Sequence, residues 1–211
     1  MRVLDFAGKL LAKPTPVVIA DLSNNNGQVN FKELKKSVAG VWLKATEGKT
    51  YTDPTFASHY TKAQEAGVPV GAYHYARPDH NTAKAEAEHF LNVLKLTHGD
   101  LKPVLDFETK GSPLDESWAR AFNKVVYAHT HVWPLFYSYS YFIHNLNASF
   151  PIGGGLWLAD YGKNDGKEHS YTTPLPWKKT LVHQYTSNGI VRGVSGRVDL
   201  SKAVSLKAIS V

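Results

Sequence analysis

The stretch KPVLDFETKGS, residues 102–112, decides how the rest of the chain is read. Val104 and Leu105 belong inside a protein, whereas Asp106 and Glu108 do not. Strand side chains alternate between faces, so Val104, Asp106 and Glu108 share one face and Leu105 and Phe107 the other. The two acids then have Cα atoms about 6.6 Å apart along the strand. An apolar strand that ends in two acids on one face is a strand reaching a rim.

Seven more runs have the same character. They are PVVIADLS (16–23), AGVWLKATEG (39–48), VPVGAYHYA (68–76), WPLFYSYS (133–140), GLWLADY (155–161), TLVHQYT (180–186) and the weaker GRVDLS (196–201). Each is rich in β-branched or aromatic residues and bounded by Gly, Pro or polar residues, which reads as a strand. Helical periods lie between the early ones. Residues 53–67 place Phe56, Tyr60 and Ala63 at i, i+4 and i+7, with Pro54 near the start and Gly67 just past the end. Residues 82–95 align Ala83, Ala87, Phe90 and Leu94, and residues 115–131 repeat Trp118, Phe122 and Val125. FKELKKS (31–37) follows Asn30 as a cap, and NNNG (24–27) reads as a turn. Strand and helix alternate for four or five units, and then strands follow with little helix between them. Alternation with continuous apolar strands implies a parallel sheet covered by helices, and eight strands imply a barrel. The fold class is α/β, an incomplete TIM-like barrel. One catalytic domain spans 16–211, behind an N-terminal extension, 1–15.

The bulk numbers agree with a globular domain. Of 211 residues, 43% are apolar and 20% charged, enough for a sizeable core. The 12% aromatic content, with 5 Trp and 11 Tyr, suits both core packing and stacking on flat ligands. A net charge of +6 favours anionic partners. No run of five Lys or Arg supports a nucleic-acid arm. Absent cysteine removes disulfides, thiolate metal sites and a Cys nucleophile. Asp5, Lys9, Lys13 and Pro14 interrupt any signal-peptide core, and no 18-residue apolar run exists to span a membrane. Ten histidines carry no metal-binding spacing, so no metal or cofactor is expected. NAS (147–149) matches a glycosylation acceptor, a pattern that also arises by chance.

Polar residues close nearly every strand: Asp21 and Ser23; Lys44, Thr46 and Glu47; Tyr73 and His74; Asp106 and Glu108; Tyr137 and Ser138; Asp160; Gln184; Asp199. In a β/α barrel such ends gather on one face, where these enzymes place their sites. Two close carboxyls raise the pKa of one partner through desolvation and like charge. A carboxyl kept protonated near neutral pH acts as a general acid beside an ionised neighbour, which suits cleavage of a glycosidic bond. The competing reading is a solvated pair, or one salt-bridged to Lys44 or Lys110.

Six stretches together narrow this. DLSNNNG (21–27), LKATEGKTYTDPTF (43–56), AGVPVGAYHYARP (66–78), PVLDFE (103–108), LWLADYG (156–162) and HQYTSNGIVRGVSGRVDL (183–200) occur in the order of a known family. Across roughly residues 17–201 the chain resembles glycoside hydrolase family 25, the Chalaropsis-type lysozymes, which include many phage endolysins. The resemblance implies a flattened (β/α)5(β)3 barrel. It implies an N-acetylmuramidase that cuts the β-1,4 bond between N-acetylmuramic acid and N-acetylglucosamine in bacterial peptidoglycan. Glu108 would be the general acid, and Asp106 would orient the 2-acetamido group if the substrate's own carbonyl is the nucleophile. An enzyme carboxylate nucleophile stays open. Asp21 and Asp199 would complete the acidic cleft. Tyr73, Tyr137, Trp157, Asp160, Gln184 and Lys44 are the candidate substrate contacts. Tyr73 would hydrogen-bond the acetamido group, and Trp157 or Tyr161 would stack on a sugar. Lys44 is ambiguous between a carboxylate partner and a surface lysine.

Residues 1–15 match nothing in the family, and His183 stands where the family often has Trp, altering a wall of the cleft. Two other functions remain: a non-catalytic peptidoglycan-binding module on this fold, and a chitinase-like hydrolase. The expected partners are peptidoglycan and anionic wall polymers, with no nucleic acid, no membrane insertion and a monomeric state. A wall substrate without a visible export signal fits a protein made in a host cytoplasm and released by a holin, or a piece of a secreted enzyme.

Overall fold

The structure, a computed structural model, describes residues 15–97, 99–109, 116–146 and 148–211. Expectations on residues 1–14, Lys110 and Asn147 lie outside them. Eight strands form the wall: β1 (Val17–Leu22), β2 (Gly40–Glu47), β4 (Val70–Tyr75), β5 (Val104–Asp106), β6 (Leu135–Tyr139), β7 (Leu156–Ala159), β8 (Thr180–Gly189) and β9 (Val198–Ala203). A short β3 (Tyr51–Thr52) folds back on β2. The order around the wall is β1-β9-β8-β7-β6-β5-β4-β2, and pairing of β2 with β1 closes it. Each of the eight expected strands is present. Helices α1 (Phe31–Leu34), α2 (Phe56–Glu65), α3 (Ala83–Val93), α4 (Glu116–Thr130) and α5 (Ser140–Leu146) follow β1, the β2–β3 hairpin, β4, β5 and β6 in turn. Strands β7, β8 and β9 then close the barrel, with α6 (Leu206–Ile209) after them. This is the (β/α)5(β)3 arrangement.

Three local readings need correction. Helix α5 was not legible, because SYFIHNL is aromatic and β-branched. Packing decides for helix there, burying Phe142, Ile143 and Leu146. The NNNG stretch is more than a turn: Asn24–Asn26 form a 3₁₀ turn whose capping box joins Ser23 and Asn26, with Gly27 at φ 63°. Asn30 does cap α1, accepting from Glu33 N at 3.2 Å, but the helix stops at Leu34. At the last strand the parallel expectation also fails. β9 runs antiparallel to both β1 and β8, so the N-terminal part of that strand reaches the rim. Asp199 sits there, register partner of Asp21.

Alternation divides the apolar side chains into two layers. Leu43, Leu105, Phe107, Phe136 and Leu158 pack outward under the helices, against Phe90 and Phe122. Ile19, Trp42, Val104, Leu135, Trp157 and Val182 fill the lumen. At the centre Trp42 and Trp157 meet with ring centroids 4.3 Å apart. Both indole N–H groups are satisfied: Trp42 Nε1 donates to Lys102 O and Trp157 Nε1 to Ser201 Oγ, each at 2.9 Å.

The register partner of Trp42 on β4 is Gly71, and the absence of a side chain makes room for the indole. A Cβ on Gly71 would lie 2.5 Å from Trp42 Cδ1 and 2.8 Å from Leu101 Cβ. Gly71→Ala is therefore expected to lose about 1–3 kcal/mol of stability from overpacking. Urea denaturation with an unchanged m value would check this, and wild-type stability would show that the lumen has slack.

Candidate active site

Above the tryptophan pair the lumen turns polar. One lumen-facing position further toward the rim, Ile19 gives way to Asp21, Trp42 to Lys44, Val104 to Asp106, Leu135 to Tyr137 and Val182 to Gln184. The result is a cavity of about 230 Å³ whose lining includes Asp21, Lys44, Tyr73, Asp106, Glu108, Tyr137, Trp157 and Asp199. Phe107 is fully buried on the opposite face of the same strand, so it fixes the orientation of its two acidic neighbours. It packs against Trp118, Phe136 and Phe142.

The carboxyls are partly wired and partly unpaired. Gln184 Nε2 donates to Asp21 Oδ2 at 3.0 Å, while Gln184 Oε1 accepts from Tyr137 OH at 2.8 Å and Tyr161 OH at 2.7 Å. Asp21 and Asp199 are hydrogen-bonded to each other. Asp106 Oδ1 is buried with no hydrogen-bond partner among the described residues. Lys44 does not pair with the Asp106–Glu108 couple; its Nζ contacts Glu47 Oε2 at 2.6 Å.

This environment holds protons. Burial, then the charge of Asp199, pushes Asp21 well above its ordinary value, against the hydrogen bond from Gln184. Burial and the charge of Glu108 do the same to Asp106. Glu108 is raised by burial and by Asp199, with Lys44 opposing. Burial also raises Asp199, although its hydrogen bond with Asp21 works the other way. Burial keeps Tyr73 and Tyr137 protonated, as neutral donors. Four carboxyls that resist ionising together and line one open cavity have the chemistry an acid–base site needs.

Other expected residues lie elsewhere or serve differently. Trp157 is 2% exposed with Trp42 against it, so it forms the cavity floor and offers no ring face to a sugar. Gln184 stands behind the cavity as the hub between Asp21 and the two tyrosines. Asp160 faces a neighbouring groove with Tyr141, His144 and Tyr171, where it accepts from Ser140 Oγ at 3.2 Å. His183 is not in the cleft wall: it points out of the barrel, its Nε2–H donating to Asp160 O (2.8 Å) beneath the ring of Tyr171. His74, Thr46 and Ser138 alternate away from the lumen too. Asn25, Tyr75 and Arg77 were missed. Tyr75 was available from alternation, two residues beyond Tyr73. Asn25 was not, because its loop is held by a distant group: Asp53 accepts from Asn24 N at 2.9 Å and from Thr55 N at 2.8 Å. Among the described residues no group of three or more His, Asp or Glu side chains is arranged to hold a metal ion.

Comparison with known proteins adds to the geometry. The model of the glycosyl hydrolases family 25 matches residues 20–194. The chain is 35% identical over 192 residues to the autolytic lysozyme of Clostridium acetobutylicum, covering 86% of this chain but 54% of that protein. It therefore spans about half the length of that relative. It is 33% identical to the N,O-diacetylmuramidase of Chalaropsis sp, covering 88% of this chain and 97% of that one. A solved family GH25 lysozyme from Aspergillus fumigatus superposes with a TM-score of 0.79 at 30% identity, covering 93% and 100% of the two chains.

The raised carboxyls fix the sign of a pH effect. An acid whose folded pKa exceeds its unfolded value binds more protons when folded, so stability falls as pH rises through that interval. The interval opens near the ordinary carboxyl range, at about pH 4. Asp106→Asn is expected to melt above wild type at neutral pH, with the gap shrinking as pH falls toward 4. Thermal melts across this range check it, and a gap independent of pH would contradict the burial of an ionisable Asp106.

Proposed function

The chain belongs to the glycosyl hydrolases family 25, and from that premise we propose that it is an N-acetylmuramidase whose catalytic domain spans residues 16–211. It hydrolyses the β-1,4 bond between N-acetylmuramic acid and N-acetylglucosamine in bacterial peptidoglycan. The observation that carries this reading is the gathering of Asp21, Asp106, Glu108 and Asp199, each with a raised pKa, around one open cavity. Its biological use is lysis of the cell wall, in the manner of an endolysin. The protein acts as a monomer, and its net charge of +6 draws it to anionic wall polymers.

Glu108 is the general acid. It borders the cavity mouth and carries a proton that it gives to the glycosidic oxygen as the C1–O bond breaks. The carbonyl oxygen of the 2-acetamido group attacks C1 and forms a cyclic oxazolinium intermediate. Asp106 accepts a hydrogen bond from the acetamido N–H, using the oxygen that otherwise lacks a partner. Accepting that bond favours ionised Asp106, so its negative charge offsets the developing positive charge while Glu108 keeps the transferable proton. Glu108, now a carboxylate, takes a proton from water as that water opens the ring at C1. The configuration at C1 is retained. Tyr73 donates to the sugar, Tyr137, whose proton goes to Gln184, accepts from it, and burial with the charge of Asp199 keeps Glu108 protonated.

Glu108→Gln is expected to lower kcat on purified peptidoglycan by roughly 10²–10⁴-fold while sedimentation with the wall persists. Mass spectrometry of the digest should place every new reducing end on N-acetylmuramic acid. Lysis by the variant at the wild-type rate would remove Glu108 as the acid. New reducing ends on N-acetylglucosamine would point to chitinase-like cleavage instead.

A further inference from the structure

One side of the cleft carries positive charge in a fixed position. A groove bounded by Tyr75, Arg77, Glu108, Thr109 and Tyr139 shares Tyr75 and Glu108 with the acidic cavity, so the two are continuous. Arg77 Cζ lies 4.9 Å, and Lys44 Nζ 5.1 Å, from the centre of the Tyr75 ring. Both cations lean on a single carboxylate. Arg77 donates to Glu47 Oε1 through Nε at 2.7 Å and through Nη2, and Lys44 reaches Oε2. Burial alone would raise Glu47, yet hydrogen bonds from Lys44 and Arg77 hold it below its ordinary value, so it is ionised. Two cations thus share the one Glu47 carboxylate, and the Arg77 side chain is 40% exposed.

The backbone under Arg77 is anchored. Its N–H donates to Glu86 Oε2 at 3.0 Å, and Glu86 is fully buried. Glu86 also meets His74 Nε2 at 2.7 Å and accepts from Asn81 Nδ2 at 2.9 Å, and His74 Nδ1 meets Thr46 Oγ1 at 2.8 Å. Glu47 takes the Nε and Nη2 edge of the guanidinium fork, which leaves the Nη1 donors to pair with a carboxylate in the groove that Arg77 lines. Around the rest of the cavity the ionisable lining is acidic. Among the described residues, an anionic substituent on a glycan strand is repelled there and attracted beside Arg77 and Lys44.

We propose that Arg77, steadied by Glu47, forms a carboxylate subsite that takes the negative charge borne on the 3-O-lactyl substituent of a muramyl sugar. The subsite selects muramic acid over the otherwise similar N-acetylglucosamine and fixes the direction in which the strand lies. It rests on the muramidase reading for the identity of the polymer. The carboxylate has two sources: the lactyl group itself where the strand bears no peptide, or an acidic residue of the peptide stem.

Steady-state kinetics on three substrates test this: strands with stems intact, strands stripped of stems by an amidase, and stripped strands whose lactyl carboxylates are amidated by carbodiimide and ammonia. Arg77→Gln is expected to raise KM about tenfold on a charged strand, the worth of a charged hydrogen bond, with kcat little changed. On amidated strands the variant and wild type should match. Arg77→Lys, which keeps the charge without the fork, should fall between them. Lys178→Gln removes one exposed charge before β8, at the other end of the barrel, and should act like wild type on all three. A KM effect on stripped strands assigns the lactyl carboxylate, and one confined to stem-bearing strands assigns the stem. An equal loss on amidated strands, or no loss on either charged substrate, overturns the subsite. If wild type releases no muramyl reducing ends from any strand, the muramidase reading itself has failed.

Discussion

Two indole rings meeting at the centre of the barrel hold the rest of the structure in place. β2 and β7 stand on opposite walls, with three strands between them in either direction. Trp42 and Trp157 reach across from those strands and meet at a centroid distance of 4.3 Å. An aromatic ring of that size buries on the order of 150–250 Å², so the pair fills the lumen with apolar surface and divides it. Below lies an ordinary core. Above, most lumen-facing positions are polar, with Ala159 on β7 an apolar exception. Gly71 beside Trp42 is the concession that makes the fit, since the strand next to a ring this large has no room for a side chain.

The same floor produces the electrostatics. Carboxyls placed on it face low-dielectric material beneath and each other across the cavity, and both effects favour the protonated form. Among the described residues Lys44 is the one basic side chain in the lining of the acidic cavity, and Glu47 already engages it. A cluster of this kind costs the folded state stability at neutral pH. In return it gives a carboxyl poised to donate a proton, a usual exchange at catalytic sites. The hydrogen bonds from Tyr137 and Tyr161 to Gln184, and from Gln184 to Asp21, keep one acid oriented without neutralising it.

The fold and the acidic core of the site were legible because both follow from alternation, a local property. A period of two along VLDFE puts Asp106 and Glu108 on the lumen side and Leu105 and Phe107 under the helices, and the structure has that division. Readings failed where a distant partner decides. SYFIHNL has strand-like composition, and only packing on the barrel makes it helical. The direction of β9 is set by its pairing with β1 and β8. Trp157 is aromatic and near a strand end, but its ring is covered from the opposite wall. His183 and Asp160 lie one residue from positions that face the lumen, and a shift of one residue turns a strand side chain to the other face.

By itself the sequence determined the eight wall strands and their order along the chain, the helices after the earlier strands and which acids stand at strand ends, since apolar period and turn residues act between near neighbours. It also carried the family pattern. Tertiary structure alone decided that Asp21 and Asp199, 178 positions apart in the chain, become register partners. It left Asp106 Oδ1 without a partner and paired Lys44 with Glu47 instead of the acidic couple. It also set Arg77 on the open side of Tyr75. Those outcomes depend on which strands close the barrel and on the tilt and register of that closure. Charge interactions depend on distance through space and on burial, so no count of residues along the chain could have supplied them.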